Sequence, residues 1–119
     1  MANEITCSAS LAAAKSGAAI SNSGSKQITM TANPMQSVVQ NIGTTTEALV
    51  FGDIVAVKYL FIKNLDATNY IEVGLNTPVT QIFAKLLAGE FALLPVGTSV
   101  IYAKANTAAC NLLVAATDT

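Results

Sequence analysis

Between residues 4 and 15 nearly every second side chain is apolar. Ile5, Cys7, Ala9, Leu11 and Ala13 fall on one side, and Glu4, Thr6, Ser8 and Ser10 on the other. An extended backbone points successive side chains to opposite faces, so this stretch reads as a half-buried β-strand. Residues 11–14 are Ala-rich enough to begin a helix. No capping box and no 3.6-residue apolar period support that, and strand is the reading kept. A chain made of such segments must bury one face of each strand against another layer.

The alternation recurs to the C-terminus. Residues 27–32 place Ile28, Met30 and Ala32 on one face. Residues 36–42 set Val38 and Ile42 against Val39, and residues 48–51 are apolar up to Gly52 and Asp53. Residues 54–65 form the strongest expected strand, with Val55, Val57, Tyr59 and Phe61 facing one way and Ile54, Ala56, Leu60 and Ile62 the other. Apolar on both sides, it is expected to be covered on both. One side would be the core, the other a second layer or a subunit contact. Further strands are expected at residues 70–75 (Ile71, Val73 and Leu75 inward), 79–87, 91–94, 99–105 and 109–117. In the last two, Ile101, Ala103 and Ala105 oppose Val100, Tyr102 and Lys104, while Leu112, Val114 and Ala116 oppose Leu113 and Ala115.

Turn chemistry separates the strands. Residues 16–25 have the Ser, Gly and Asn content of a loose loop. Asn33 with Pro34, residues 43–46, Asn76-Thr77-Pro78, Ala88-Gly89-Glu90 and Asn106-Thr107 read as connections. Asn64, Asp66 and Asn69 suggest a tight hairpin. Eight to ten short strands at about 8–12-residue spacing make an all-β fold, an antiparallel β-sandwich or a jelly-roll or barrel. The 119 residues read as one domain, 1–119, in which 1–25 supply an N-terminal strand or arm and a Ser/Gly-rich loop.

Composition narrows function by what it withholds. The chain has no His, no Trp and no Arg, its six positive charges all being Lys. The commonest general base near neutral pH and the bidentate anion clamp are therefore absent. Asp53, Asp66, Glu72 and Glu90 lie beside turns or on exposed faces, where solvated carboxylates are expected. No nucleophile motif accompanies the Ser and Thr residues. The expectation is a protein that is not an enzyme, with no catalytic, cofactor-binding or metal site and no cofactor. Asn64, Asp66 and Asn69 offer calcium-type oxygens but a single charge. Gly17, Gly24 and Gly43 have no following helix and are read as turn glycines.

Lys15, Lys26, Lys58, Lys63, Lys85 and Lys104 are scattered singly, so no nucleic-acid partner is expected. No run reaches the roughly 18 apolar residues of a membrane helix, and no membrane partner is expected. The start has no signal-peptide character, since its first charge is Glu4 and Lys15 interrupts the Ala-rich stretch, which suggests a chain made in a cytosol and beginning near Met1 or Ala2. Cys7 and Cys110, on the first and last expected strands, read as free thiols that could pair on release into an oxidising medium. Tyr70 and Tyr102 are the aromatics expected to be most exposed, which keeps a carbohydrate-binding module as an alternative.

Charged residues are 11% of the chain against 52% hydrophobic, with a net charge of −1. Average domains carry about 25% charged residues, and so uncharged a surface resists association poorly. A subunit covered by partners, a small homo-oligomer such as a trimer, fits that composition.

One stretch is more specific. Tyr59-Leu60-Phe61-Ile62-Lys63-Asn64-Leu65-Asp66-Ala67-Thr68-Asn69-Tyr70-Ile71-Glu72-Val73-Gly74 resembles a segment of small β-structured virion proteins of tailed phages, as do residues 40–53, 86–94 and 101–109. The likeness runs from about residue 28 to the C-terminus. It implies a virion component assembled in the host cytoplasm, with the major capsid protein or other virion proteins as partners. A capsid decoration (cement) protein is the leading form and a tail, baseplate or fibre-associated module the alternative. The partner-binding residues are unknown from the resemblance. A cleanly alternating N-terminal strand could also extend a neighbour's sheet edge.

Overall fold

The computed structural model describes residues 4–31 and 34–118, which fall into two compact units divided between residues 33 and 34. Ala32, Asn33 and Met1 to Asn3, to which parts of the expected second strand and turn belong, lie outside the described residues.

The first unit is a hairpin of β1 (Ile5–Lys15) and β2 (Ala18–Ile28), paired antiparallel over eleven residue pairs from Ile5↔Ile28 to Lys15↔Ala18. Ser16 and Gly17 join them with φ of 53° and 85°. Positive φ at both central positions is what a two-residue type I′ turn requires, and its twist matches that of paired strands. The loop expected over residues 16–25 is therefore corrected. Two residues turn, and the rest is strand despite its Ser and Gly content, because β1 supplies an unbroken ladder.

The second unit holds eight strands in two four-stranded antiparallel sheets. They are β3 (Met35–Ile42), β4 (Glu47–Ala48), β5 (Tyr59–Asn64), β6 (Ile71–Gly74), β7 (Ile82–Leu86), β8 (Phe91–Pro95), β9 (Tyr102–Ala105) and β10 (Cys110–Thr117). One sheet runs β3-β10-β5-β8 and the other β4-β9-β6-β7. The pairs β3·β10, β4·β9, β5·β8 and β6·β7 form one long antiparallel ribbon, closed by β10·β5 and β6·β9. A ribbon folded this way, with all but one connection crossing between sheets, is a jelly roll. The all-β sandwich expected from the sequence is the observed fold.

Between the sheets lie Leu60, Ile62, Leu112 and Val114 from one and Ile71, Val73, Ala103 and Ala105 from the other. Leu49, Phe51, Ile54 and Val57 close the layer from connecting segments. The alternations expected for residues 101–105 and 112–116 are observed, with Ile101, Ala103, Ala105, Leu112, Val114 and Ala116 all buried.

Other expectations are corrected. Residues 54–58 are not strand. Val57 N–H donates to Ser99 Oγ (2.9 Å), whose hydroxyl donates to Val55 O (3.1 Å), so the backbone is tied to a loop and Val55 stands almost fully exposed. Residues 64–69 are not a tight hairpin, because β5 and β6 belong to different sheets. They form an arch across the sandwich, held by Asn64, which is fully buried. Its Nδ2 donates to Asn69 O (2.8 Å) and Leu86 O (2.9 Å), and its Oδ1 accepts from Asp66 N (2.9 Å). Leu75, expected inward, is exposed beyond a bulge at Val73/Gly74. There a Cβ on Gly74 would come within 2.6 Å of Gln81 O, which explains the glycine.

Candidate interaction surfaces

The residues singled out for chemistry are dispersed. Asp53 is exposed in the turn after Gly52, and Glu90 Oε1 caps the β7–β8 turn by accepting from Leu87 N (2.9 Å). Glu72 projects from β6 opposite Lys85 and Lys104. Asp66 Oδ2 accepts from Asn69 N (2.7 Å) and Thr68 N (2.9 Å). Those two backbone bonds, the Asn69 one first, hold its carboxyl below the ordinary carboxylate value. Asn69 Oδ1 accepts from Thr107 Oγ1 (2.7 Å). Asn64 Oδ1, Asp66 Oδ2 and Asn69 O thus accept hydrogen bonds within the arch, and Asn69 Oδ1 accepts one from Thr107. No group of three His, Cys, Asp or Glu side chains that could hold a metal occurs among the described residues.

Cys7 is half-buried on the hairpin and Cys110 buried in the sandwich; both are free thiols on strands that share no sheet. Burial, and then the Asp66 carboxylate, push the Cys110 thiol up, so it stays protonated near neutrality.

Two surfaces of the described residues carry exposed apolar side chains. The first is the hairpin. Directly paired residues share a face, so the register defines both sides. One carries Ser8·Ser25, Ser10·Ser23 and Ala12·Ser21. The other carries Ile5·Ile28, Cys7·Lys26, Ala9·Gly24, Leu11·Asn22 and Ala13·Ile20, apolar along β1 and at both ends of the ladder but polar at Lys26 and Asn22 of β2. On that side Leu11 is 63% exposed and Ile20 51%. Among the described residues each strand has one neighbour, leaving two open edges.

The second is the outer face of the β3-β10-β5-β8 sheet. Register aligns its outward side chains in rows: Val39, Leu113, Lys63 and Phe91; then Ser37, Ala115, Phe61 and Leu93; then Met35, Thr117, Tyr59 and Pro95. Phe91 is 64% exposed, Met35 62% and Val39 56%. Phe61 and Phe91 stack with ring centroids 5.8 Å apart, and Lys58 Nζ lies 5.8 Å from the Tyr59 ring centroid. Asn41 Nδ2 donates to Asn111 Oδ1 (3.0 Å) at one end, and Thr117 Oγ1 is buried with no hydrogen-bond partner among the described residues. Lys63 is the one charged side chain in these rows. The second side of residues 59–63 was expected to be covered; among the described residues no further layer of the sandwich covers it.

The aromatics also rank differently from expectation. Tyr70 and Tyr102 are half-buried, Tyr70 under Lys85 Nζ at 4.2 Å, while Phe91 is well exposed. Alternation marked Phe91 as a strand residue, but only the β5·β8 register reveals that it points outward beside Phe61. The sequence reading also passed over Gln36 and Gln40. Gln36 Nε2 donates to Val50 O (2.7 Å). Gln40 donates to Ala48 O (3.0 Å) and accepts from Val50 N (3.0 Å), fixing the segment after β4 to β3. Their period-two spacing with Ile42 was the available signal.

Comparisons with protein-family models, curated proteins and solved structures found no match to this chain.

Proposed function

We propose that the chain is a virion structural protein of a tailed phage, a capsid decoration (cement) protein that binds the outer shell as a small homo-oligomer. The observation that carries this reading is the hairpin. An eleven-rung, two-stranded ribbon with exposed Leu11 and Ile20 on one side and two open edges among the described residues forms a unit of its own. Such ribbons are marginally stable in water unless a third strand or another layer joins them. It is therefore an arm suited to a partner, through its Leu11 and Ile20 side or by adding strands at its edges.

Three further features support the reading. The resemblance of residues 59–74 to phage virion proteins points the same way. The jelly roll is an architecture used in viral shells; it also serves lectins and cupins, so the fold by itself selects no function. The low charge suits contacts multiplied by symmetry, because apolar burial is not screened by salt.

Cryo-electron microscopy of the virion tests the proposal. Density for this chain is expected on the outer shell, with the hairpin against shell protein. Density confined to the tail would assign it to a tail, baseplate or fibre module and overturn the shell reading. A companion measurement uses Leu11→Lys combined with Ile20→Lys. This variant is expected to keep the sandwich fold and to lose binding to particles lacking the wild-type protein.

A further inference from the structure

We infer that the outer face of the β3-β10-β5-β8 sheet is a two-fold interface between copies of this chain. The inference deepens the proposed function and rests on its claim of self-association, naming the surface that carries it.

The face divides into unequal halves. Strands β5 and β8 contribute Tyr59, Phe61 and Phe91; strands β3 and β10 contribute Val39, Ala115 and Thr117 in the same rows. Consider a second copy laid face to face by a two-fold axis along the strands. The strand order reverses, so β8 meets β3 and β5 meets β10, while each row meets itself. Phe91 then faces Val39, Phe61 faces Ala115 and Tyr59 faces Thr117. Large side chains meet small ones in every row, the condition for interdigitated packing. The strands of the two sheets stay aligned, the usual arrangement for packed sheets. A two-fold across the strands would instead lay each strand on itself with the rows reversed, setting Phe61 on Phe61 and Leu93 on Leu93 while Ser37 meets Ser37 and Ala115 meets Ala115 in the same row.

Charge permits the same pairing. Lys63 meets Leu113 of the opposite copy, not a second lysine, and its stem can lie on the leucine while the ammonium reaches water. The face holds no carboxylate to be stranded.

The area suffices for a modest dimer. Four strands span about 19 Å and the rows run about 20 Å, a footprint of roughly 400 Å² per copy. With side-chain relief, two copies bury on the order of 1,000 Å², the lower bound for a specific contact. The pairing closes at two copies, because each presents the same patch to the other.

Sedimentation velocity over a concentration series tests this with the full chain. Wild type is expected to dimerise reversibly. Phe91→Lys and Val39→Glu each replace an exposed side chain, so each is expected to keep the wild-type circular dichroism spectrum. Each alone should weaken dimerisation by about thirtyfold or more, as loss of an interface anchor does. Mixed in equal amounts, they should recover a dimer, because position 91 of one meets position 39 of the other. Three results would each overturn the inference: a wild type that stays monomeric, an oligomer indifferent to both substitutions, or a mixture that recovers nothing. A monomer whose shell binding falls on Phe91→Lys would assign the face to the shell, removing self-association from the proposed function and leaving only its shell binding.

Discussion

Across the middle of the β4-β9-β6-β7 sheet the outward row reads Lys104, Glu72 and Lys85; across the β3-β10-β5-β8 sheet it reads Val39, Leu113, Lys63 and Phe91. Both sheets close on the same core, so burial within the chain does not explain the difference. The first row places a carboxylate between two ammonium groups, as a solvated face does. The second puts most of its area into hydrocarbon, which water penalises by about 25 cal/mol per Å². The first row suits contact with water, and the second suits the partner copy inferred above. The lesson is that the two sides of a single strand can answer to different layers. In β5, Leu60 and Ile62 are fully buried in the core, while Phe61 stands on the outer face.

The sharpest way to break the comparison is to cut the same strand on its two sides. Leu60→Ala empties a fully buried site and is expected to cost about 4 kcal/mol of sandwich stability. Phe61→Ala, one residue along and facing out, is expected to cost about 1 kcal/mol while weakening self-association. Urea denaturation and sedimentation of the two variants separate the effects. Equal losses of stability would mean that the outer face belongs to the core after all.

Next in size is Asn64→Ala. Asn64 sits where the chain leaves the apolar-faced sheet for the charged one, and its amide satisfies Asn69 O, Leu86 O and Asp66 N. Truncation strands three partners, and a loss of about 3 kcal/mol is expected by denaturant titration. Gly74→Ala should cost about 2 kcal/mol in the charged-faced sheet, since the new Cβ has Gln81 O and Val79 Cγ1 in its way. Lys85→Ala, on the solvated row, removes only an exposed cation over Tyr70. A change within about 0.5–1 kcal/mol and no change in association are expected.

How far the sequence revealed this follows from what alternation encodes. It reports that successive side chains differ in environment, so the inward faces of β9 and β10 were legible, although the strand expected over residues 99–105 begins only at Tyr102 and the one expected over 109–117 begins at Cys110. It does not report which partner a strand takes. Residues 54–58 alternate as well as 59–63, yet Ser99 ties them into a connection. The Asn-rich stretch 64–69 has hairpin chemistry, yet its ends enter different sheets, a long-range choice that local turn preferences do not hold. Residues 18–25 look like loop because Ser and Gly are poor strand formers; the register against β1 overrode them. The outer apolar face was half legible. The two-sided hydrophobicity of residues 59–62 marked an apolar outer face, but its extent over β3, β10 and β8 needed the pairing.

The smallest expected effect concerns pH and the arch between the two sheets. Asp66 is held in its ionised form by the N–H groups of Asn69 and Thr68, so its carboxyl in the folded protein titrates below its unfolded value of about 3.9. A depressed folded value means that ionised Asp66 stabilises the fold fully above the unfolded value, and that this contribution disappears as pH falls through the folded one. Asp66→Asn keeps an acceptor oxygen but removes the charge. The difference in melting temperature between wild type and variant should be constant from neutral pH to about pH 5 and shrink below about pH 4. If it widened on acidification instead, the carboxyl would have to be held protonated, and the arch would be secured by a donor bond from Asp66 rather than by the charge. Phe91→Lys should leave this acid dependence unchanged, because the outer face lies beyond the hydrogen bonds that set it.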